Sequence, residues 1–178
     1  MAREPINLFS ARGTATQVRN LLLTWFPDAE VVGDSDDWSE ILIRLDDGSA
    51  LGFLHSADYY AGPDWAKQKS GMQGYFSRFP LGDREAQMMS TIGTFQFSLG
   101  TRFEPDYDLV GDERLTILGK LAEVLDGVLV MPSSLRDPQG RILVSSDGEV
   151  DSDAEWPTIH VTMGNAHPTT ITPPTRES

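Results

Sequence analysis

Dense groups of carboxylates are the first chemistry this chain offers. Asp34, Asp36 and Asp37 crowd one short stretch, and Asp147, Glu149, Asp151 and Asp153 form a second. Calcium takes oxygen ligands of this kind, but a calcium loop also needs spaced ligands, a central glycine and a terminal glutamate. In the first group Trp38 stands at the third ligand position, and the glycine and glutamate are missing. The second places an acid at every second residue, the pattern of a solvated edge. No metal and no cofactor is expected at either. Both groups are read instead as charged surface. With 27 acidic residues against 14 basic ones and a formal charge of −13, the chain is suited to a basic protein partner and repels nucleic acid and anionic lipid. Asp34, Asp36, Asp37, Asp151 and Asp153 are therefore the charged candidates for partner binding.

The second candidate feature is aromatic. Tyr59, Tyr60 and Trp65 bracket Ala61-Gly62-Pro63-Asp64, and Gln68, Met72, Tyr75 and Phe76 continue along the following helix. Aromatic side chains with a polar handle are favoured in interfaces and pockets. The competing reading is that Trp65, Met72 and Phe76 are core residues at helical spacing, with the tyrosines pinning a loop. A pocket beside Tyr59 to Trp65, lined also by His55 or Asp58, is the alternative ligand-binding or enzymatic reading. Sequence signatures of catalysis are otherwise missing: there is no G-x-S-x-G, no phosphate-binding glycine loop and no H-E-x-x-H. His55, His160 and His167 are scattered, and the chain has no cysteine, which excludes disulfides and thiolate chemistry. No catalytic residue is assigned.

These candidates need elements to position them. Ile6 to Ser10 reads as a strand, and Thr14-x-x-Gln17 is a capping box before a helix carrying Val18, Leu21, Leu22 and Trp25. Phe26-Pro27-Asp28 stops that helix, because the residue before proline is pushed out of the α region. A short strand over Ala29 to Val32 precedes a hairpin, Ile41 to Leu45 and Ala50 to Leu54, whose turn requires positive φ at Gly48. Asp64 is placed to cap a helix ending at Pro80, and Asp83 to cap another through Met88 and Ile92. From Thr94 the period becomes two, through Phe95, Phe97 and Leu99, with Gly100 marking a bulge in a central strand. Asp112 caps a helix with Leu115, Leu118, Ala122 and Leu125 on its apolar face. The buried run Val128 to Met131 follows, then a turn at Asp137-Pro138-Gln139-Gly140 and a last strand.

This order mixes hairpins with crossovers. It predicts an α+β fold: a mixed, largely antiparallel sheet with helices mainly on one face. Residues 1–156 form one domain in this reading, and the Pro- and Thr-rich stretch 157–178 a flexible tail, in which 158–163 has the alternation of a strand. The N-terminus reaches no apolar signal region, and no apolar run nears the ~18 residues of a membrane span, so a cytoplasmic protein is expected.

Phe95-Gln96-Phe97-Ser98, Leu125-Asp126-Gly127-Val128-Leu129 and Asp137-Pro138-Gln139-Gly140-Arg141-Ile142-Leu143-Val144 together resemble the C-terminal half of small uncharacterised bacterial proteins, over Thr94 to Pro157. Some proteins of that kind resemble immunity proteins that neutralise toxins. The resemblance implies an immunity-type inhibitor, for which the acidity of the chain suits a basic partner, and transfers no functional residue. A non-catalytic acidic binding module is thus the first expectation, a ligand-binding protein or enzyme the second, and an accessory subunit of a larger assembly the third.

Overall fold

The computed structural model describes residues 3–34, 36–56 and 62–157. Strands run in the order β1 (Asn7–Ser10), β2 (Glu30–Gly33), β3 (Trp38–Arg44), β4 (Ala50–Leu54), β5 (Phe97–Glu104), β6 (Gly127–Met131), β7 (Ser134–Arg136) and β8 (Ile142–Ser145). Helices α1 (Ala15–Trp25), α2 (Gly62–Phe76), α3 (Glu85–Gly93) and α4 (Glu113–Val124) are threaded between them. The strands form one eight-stranded sheet, β2-β3-β4-β5-β1-β6-β7-β8. Every neighbouring pair among the described strands is antiparallel. The α+β class and the antiparallel bias are therefore as the sequence pattern predicts.

The sheet is staggered at its centre. Phe97 to Leu99 of β5 pair with β1, whereas Gly100 to Glu104 pair with β4. Gly100 is thus the hand-over point between the two halves, not a bulge; register shifts occur instead at Val32/Gly33 and Leu135/Arg136. Thr101 Oγ1 donates to the Ile6 carbonyl at 2.6 Å and ties the halves together.

Period-two alternation explains the two cores. Leu8, Leu129 and Met131 face one side with α1 and α4, and Phe9, Val128 and Val130 face the other with α2 and α3. The helices accordingly divide between the two faces, where the sequence pattern places them mainly on one. The reason is β6, which is buried at every position; a strand with apolar residues on both faces needs cover on both. Periodicity groups Phe95 with Phe97, but Phe95 precedes β5 and joins the α2/α3 core while Phe97 joins the other.

Local signals hold at several ends. Thr14 Oγ1 accepts the Gln17 N–H at 3.1 Å, and Asp112 Oδ1 accepts the Arg114 N–H at 2.9 Å. Gly48 has φ +88°, as its hairpin turn demands. Two predicted caps differ: Asp64 lies inside the first turn of α2, and Asp83 sits in a 3-10 turn, Gly82–Arg84, leading into α3. No helix among the described residues is long and apolar enough to cross a membrane. Of the predicted tail only Pro157 is described, and the strand expected over 158–163 lies outside the described residues.

Candidate functional site

A concavity among the described residues forms beside α4. Residues Leu118, Leu121 and Ala122 turn into the core, while Leu115, Gly119 and Glu123, four apart and so on one helical stripe, line a cleft of roughly 740 Å3. Its floor is Ile6, Leu129, Met131 and Arg136. Register accounts for that cation: Arg136 pairs with Leu129 across β6 and β7, so it shares the face of Leu129 while Leu135 enters the opposite core.

One end of the cleft is closed by the turn Pro138 to Gly140. A Cβ added to Gly119 would lie 2.2 Å from the Pro138 carbonyl oxygen, so only glycine admits this approach of turn to helix. The turn is fixed by Asp137, whose side chain is wholly buried. Asp137 Oδ1 accepts the N–H groups of Gln139 and Arg141 at 3.0 and 2.9 Å. Its Oδ2 accepts Arg141 Nε at 2.8 Å and the Glu155 N–H at 3.1 Å.

The other end is the loop before α4. Leu109 is 57% exposed and Val110 90% exposed, and Leu109 and Gly111 line the mouth. Asp112 closes this loop, since its Oδ2 also accepts the Asp108 N–H at 2.9 Å. Behind it Arg114 is buried and donates to the carbonyls of Ala50, Pro105 and Asp106 and to both Asp112 oxygens. The Arg114 guanidinium, aided by backbone N–H donors, holds the Asp112 carboxyl below the usual carboxylate range. Asp106, Asp108 and Glu113 are exposed near this end, and Glu123 is exposed at the other, with Gln139 Nε2 3.5 Å from its Oε2.

Arg136 Nε donates to Ser134 Oγ at 3.1 Å and Nη1 to the Gly140 carbonyl at 3.0 Å. Among the described residues no carboxylate lies within ion-pair distance of Arg136, whereas Arg114 has one and Arg102 and Arg141 have two each. Lys120 also borders the cleft, with Nζ 4.6 Å from the Trp25 ring centre.

The residues singled out from sequence are distributed differently. Asp34, Asp36 and Asp37 are exposed in the β2–β3 connection, at one edge of the sheet. Asp151 and Asp153 lie beyond β8, at the other edge. Seven strand intervals of about 4.8 Å separate these edges, so the two acidic groups do not make one surface. Asp151 serves the backbone, since its Oδ2 accepts the Ile142 N–H at 2.8 Å and its own N–H donates to the Ile142 carbonyl. Asp153 stands 3.6 Å from Arg141. Trp65 packs against the α2/α3 core, stacked on Phe9 with ring centres 6.2 Å apart. Tyr59, Tyr60 and Asp58 lie outside the described residues. The cleft is on the opposite sheet face from Trp65.

His55 lies between the rings of Trp38 and Phe97, at 5.3 and 5.6 Å. Burial lowers its pKa from the ordinary 6.5, partly offset by a hydrogen bond with the Trp38 backbone. The folded state thus disfavours the imidazolium, and this contribution to stability is present above pH 6.5 and lost as pH falls through the lower folded value. Urea midpoints at pH 7.5 and 5.5 should differ more for the wild type than for His55→Gln; an unchanged difference would remove His55 from the pH response.

No protein-family model matches the chain, and no curated protein or solved structure shows significant similarity to it.

Proposed function

We propose that this chain is a non-catalytic acidic module that binds a basic protein, and that its docking face is the α4 cleft together with the Leu109–Val110 loop. The observation that carries this reading is the adjacency of two exposed apolar side chains to a cleft with an apolar floor, with the exposed carboxylates of Asp106, Asp108 and Glu113 in the same loop and the helix start that follows it. An apolar centre inside a polar, charged rim is the anatomy of a protein interface. The rim supplies steering for a cationic partner, in line with the charge of −13. An immunity-type inhibitor of a basic toxin is one form such a module takes. The groups lining the cleft favour holding over transforming: Asp112 is committed to Arg114, and no histidine is among them.

The test is a differential capture from native cytosol by wild type and by the double variant Leu109→Ser/Val110→Ser. A basic protein retained by the wild type, released as salt rises and lost with the double variant, supports the docking face. Equal capture by both proteins overturns it.

A further inference from the structure

We infer that the cleft receives the C-terminal residue of its protein partner, with Arg136 pairing the terminal carboxylate and an apolar last side chain resting on Ile6, Leu129 and Met131. This rests on the docking reading above and specifies what enters the cleft.

Charge is the first ground. In a chain so rich in acid, Arg136 lines the cleft with two hydrogen bonds, both to uncharged oxygens, and no carboxylate within ion-pair distance among the described residues. A guanidinium has five N–H donors in a fork that matches a carboxylate. Nε and one Nη1 hydrogen are used, which leaves both Nη2 hydrogens and one of Nη1. Of the charged residues lining the cleft, Asp112 is neutralised by Arg114, and Lys120 offsets Glu123. The residual is the single positive charge of Arg136. One cation suits a monoanionic carboxylate better than a phosphate dianion.

The body of the ligand is set by what surrounds that cation. Leu129 is its cross-strand neighbour, and Met131 and Ile6 complete an apolar floor. Beyond the mouth the surface turns acidic at Asp106, Asp108 and Glu113. A ligand that satisfies all three zones ends in a carboxylate, carries an apolar group beside it and bears positive charge further back. The C-terminus of a basic polypeptide has that order, and capture of a C-terminal carboxylate is an established mode of peptide recognition. A small apolar acid would satisfy only the first two zones.

The experiment titrates the full chain with the peptide Lys-Lys-Ser-Leu-Leu bearing a free C-terminal carboxylate, with its C-terminal amide, and with decanoate. The carboxylate peptide should bind with roughly ten- to a hundredfold higher affinity than the amide, the factor expected for a charge-assisted hydrogen-bond pair. Arg136→Gln should bring the carboxylate peptide down to the level of the amide and leave the amide unchanged, and Arg136→Lys should restore part of the difference. Equal binding of acid and amide to the wild type overturns the inference without recourse to any variant. Binding of decanoate with no binding of the peptide overturns it in favour of a small apolar acid. If neither peptide binds while Leu109→Ser/Val110→Ser still abolishes capture of a basic protein, the inference fails and the docking reading stands.

Discussion

Replacing Arg114 by methionine should cost about 3–5 kcal/mol of folding stability, the range for breaking a buried ion pair by removing one partner. Arg114 and Asp112 are 4% and 9% exposed as side chains, so the aspartate is left as a buried charge when its cation goes. The carbonyls of Ala50, Pro105 and Asp106 lose their donor as well. Because a domain has only about 5–15 kcal/mol in hand, the urea midpoint should fall steeply. The sign of the pH response follows from Asp112, whose carboxyl is depressed below 3.8 by Arg114. Its contribution is fully present above pH 3.8 and is lost as pH falls through the lower folded value. The gap between wild type and Arg114→Met should therefore be widest above pH 3.8 and narrow on acidification. A variant with an unshifted midpoint would mean that the Asp106 to Gly111 loop is held by other contacts.

Asp137→Ala should be comparably damaging, at about 3–5 kcal/mol, for a different reason. One buried carboxylate accepts the N–H groups of Gln139, Arg141 and Glu155, and each hydrogen bond to a charged group contributes about 1.5–3 kcal/mol. The turn that walls the cleft and the segment that follows β8 both converge on this residue. Amide hydrogen exchange should show lost protection at residues 139, 141 and 155 in Asp137→Ala. Retained protection there would separate the turn from Asp137. Asp137→Asn is the informative partner variant, because its amide oxygen keeps two of the acceptor roles while its NH2 faces the remaining donors.

Neither Arg114 nor Asp137 stands out as a site in the sequence, and the reason is physical. Asp112 is legible as a helix cap because capping is local, readable from one side chain and the apolar spacing after it. Arg114 beside it makes its contacts across 64 residues to Ala50, which no local pattern encodes. Asp137 is legible as the start of a turn, yet its burial depends on Glu155 returning from beyond β8. Alternation carries a trace of Arg136, since a strand reading Ser134-Leu135-Arg136 sets a cation on the same face as a serine. At three residues that strand is too short to raise the signal, so periodicity passes from Met131 to the turn without it. Leu109 and Val110 do carry a clue, as an apolar pair between Asp108 and Gly111 in a stretch otherwise rich in acid.

Periodicity also sets the limits of what the sequence says about the fold. It identifies which segments are strands and helices, because alternation and 3.6-residue spacing are properties of each segment alone. It does not assign helices to faces, since that depends on which strands lie at the centre of the sheet. The apolar run Val128 to Met131 holds the needed information: a strand apolar on both sides demands two covering layers. The acidic groups illustrate the same limit. Asp34 to Asp37 and Asp151 to Asp153 look equivalent as composition, but the strand order sends them to opposite edges, and Asp151 is spent on the backbone of β8.

The most direct test of the docking face is a two-dimensional amide NMR titration of the full chain with the free-carboxylate peptide Lys-Lys-Ser-Leu-Leu. If the cleft between α4 and β7 is the docking face, shifts concentrate at Leu109, Leu115, Gly119, Met131 and Arg136. Shifts confined to Asp34, Asp36 and Asp37 at the β2 edge, with the cleft resonances unmoved, would contradict it and return the binding surface to the acidic loop.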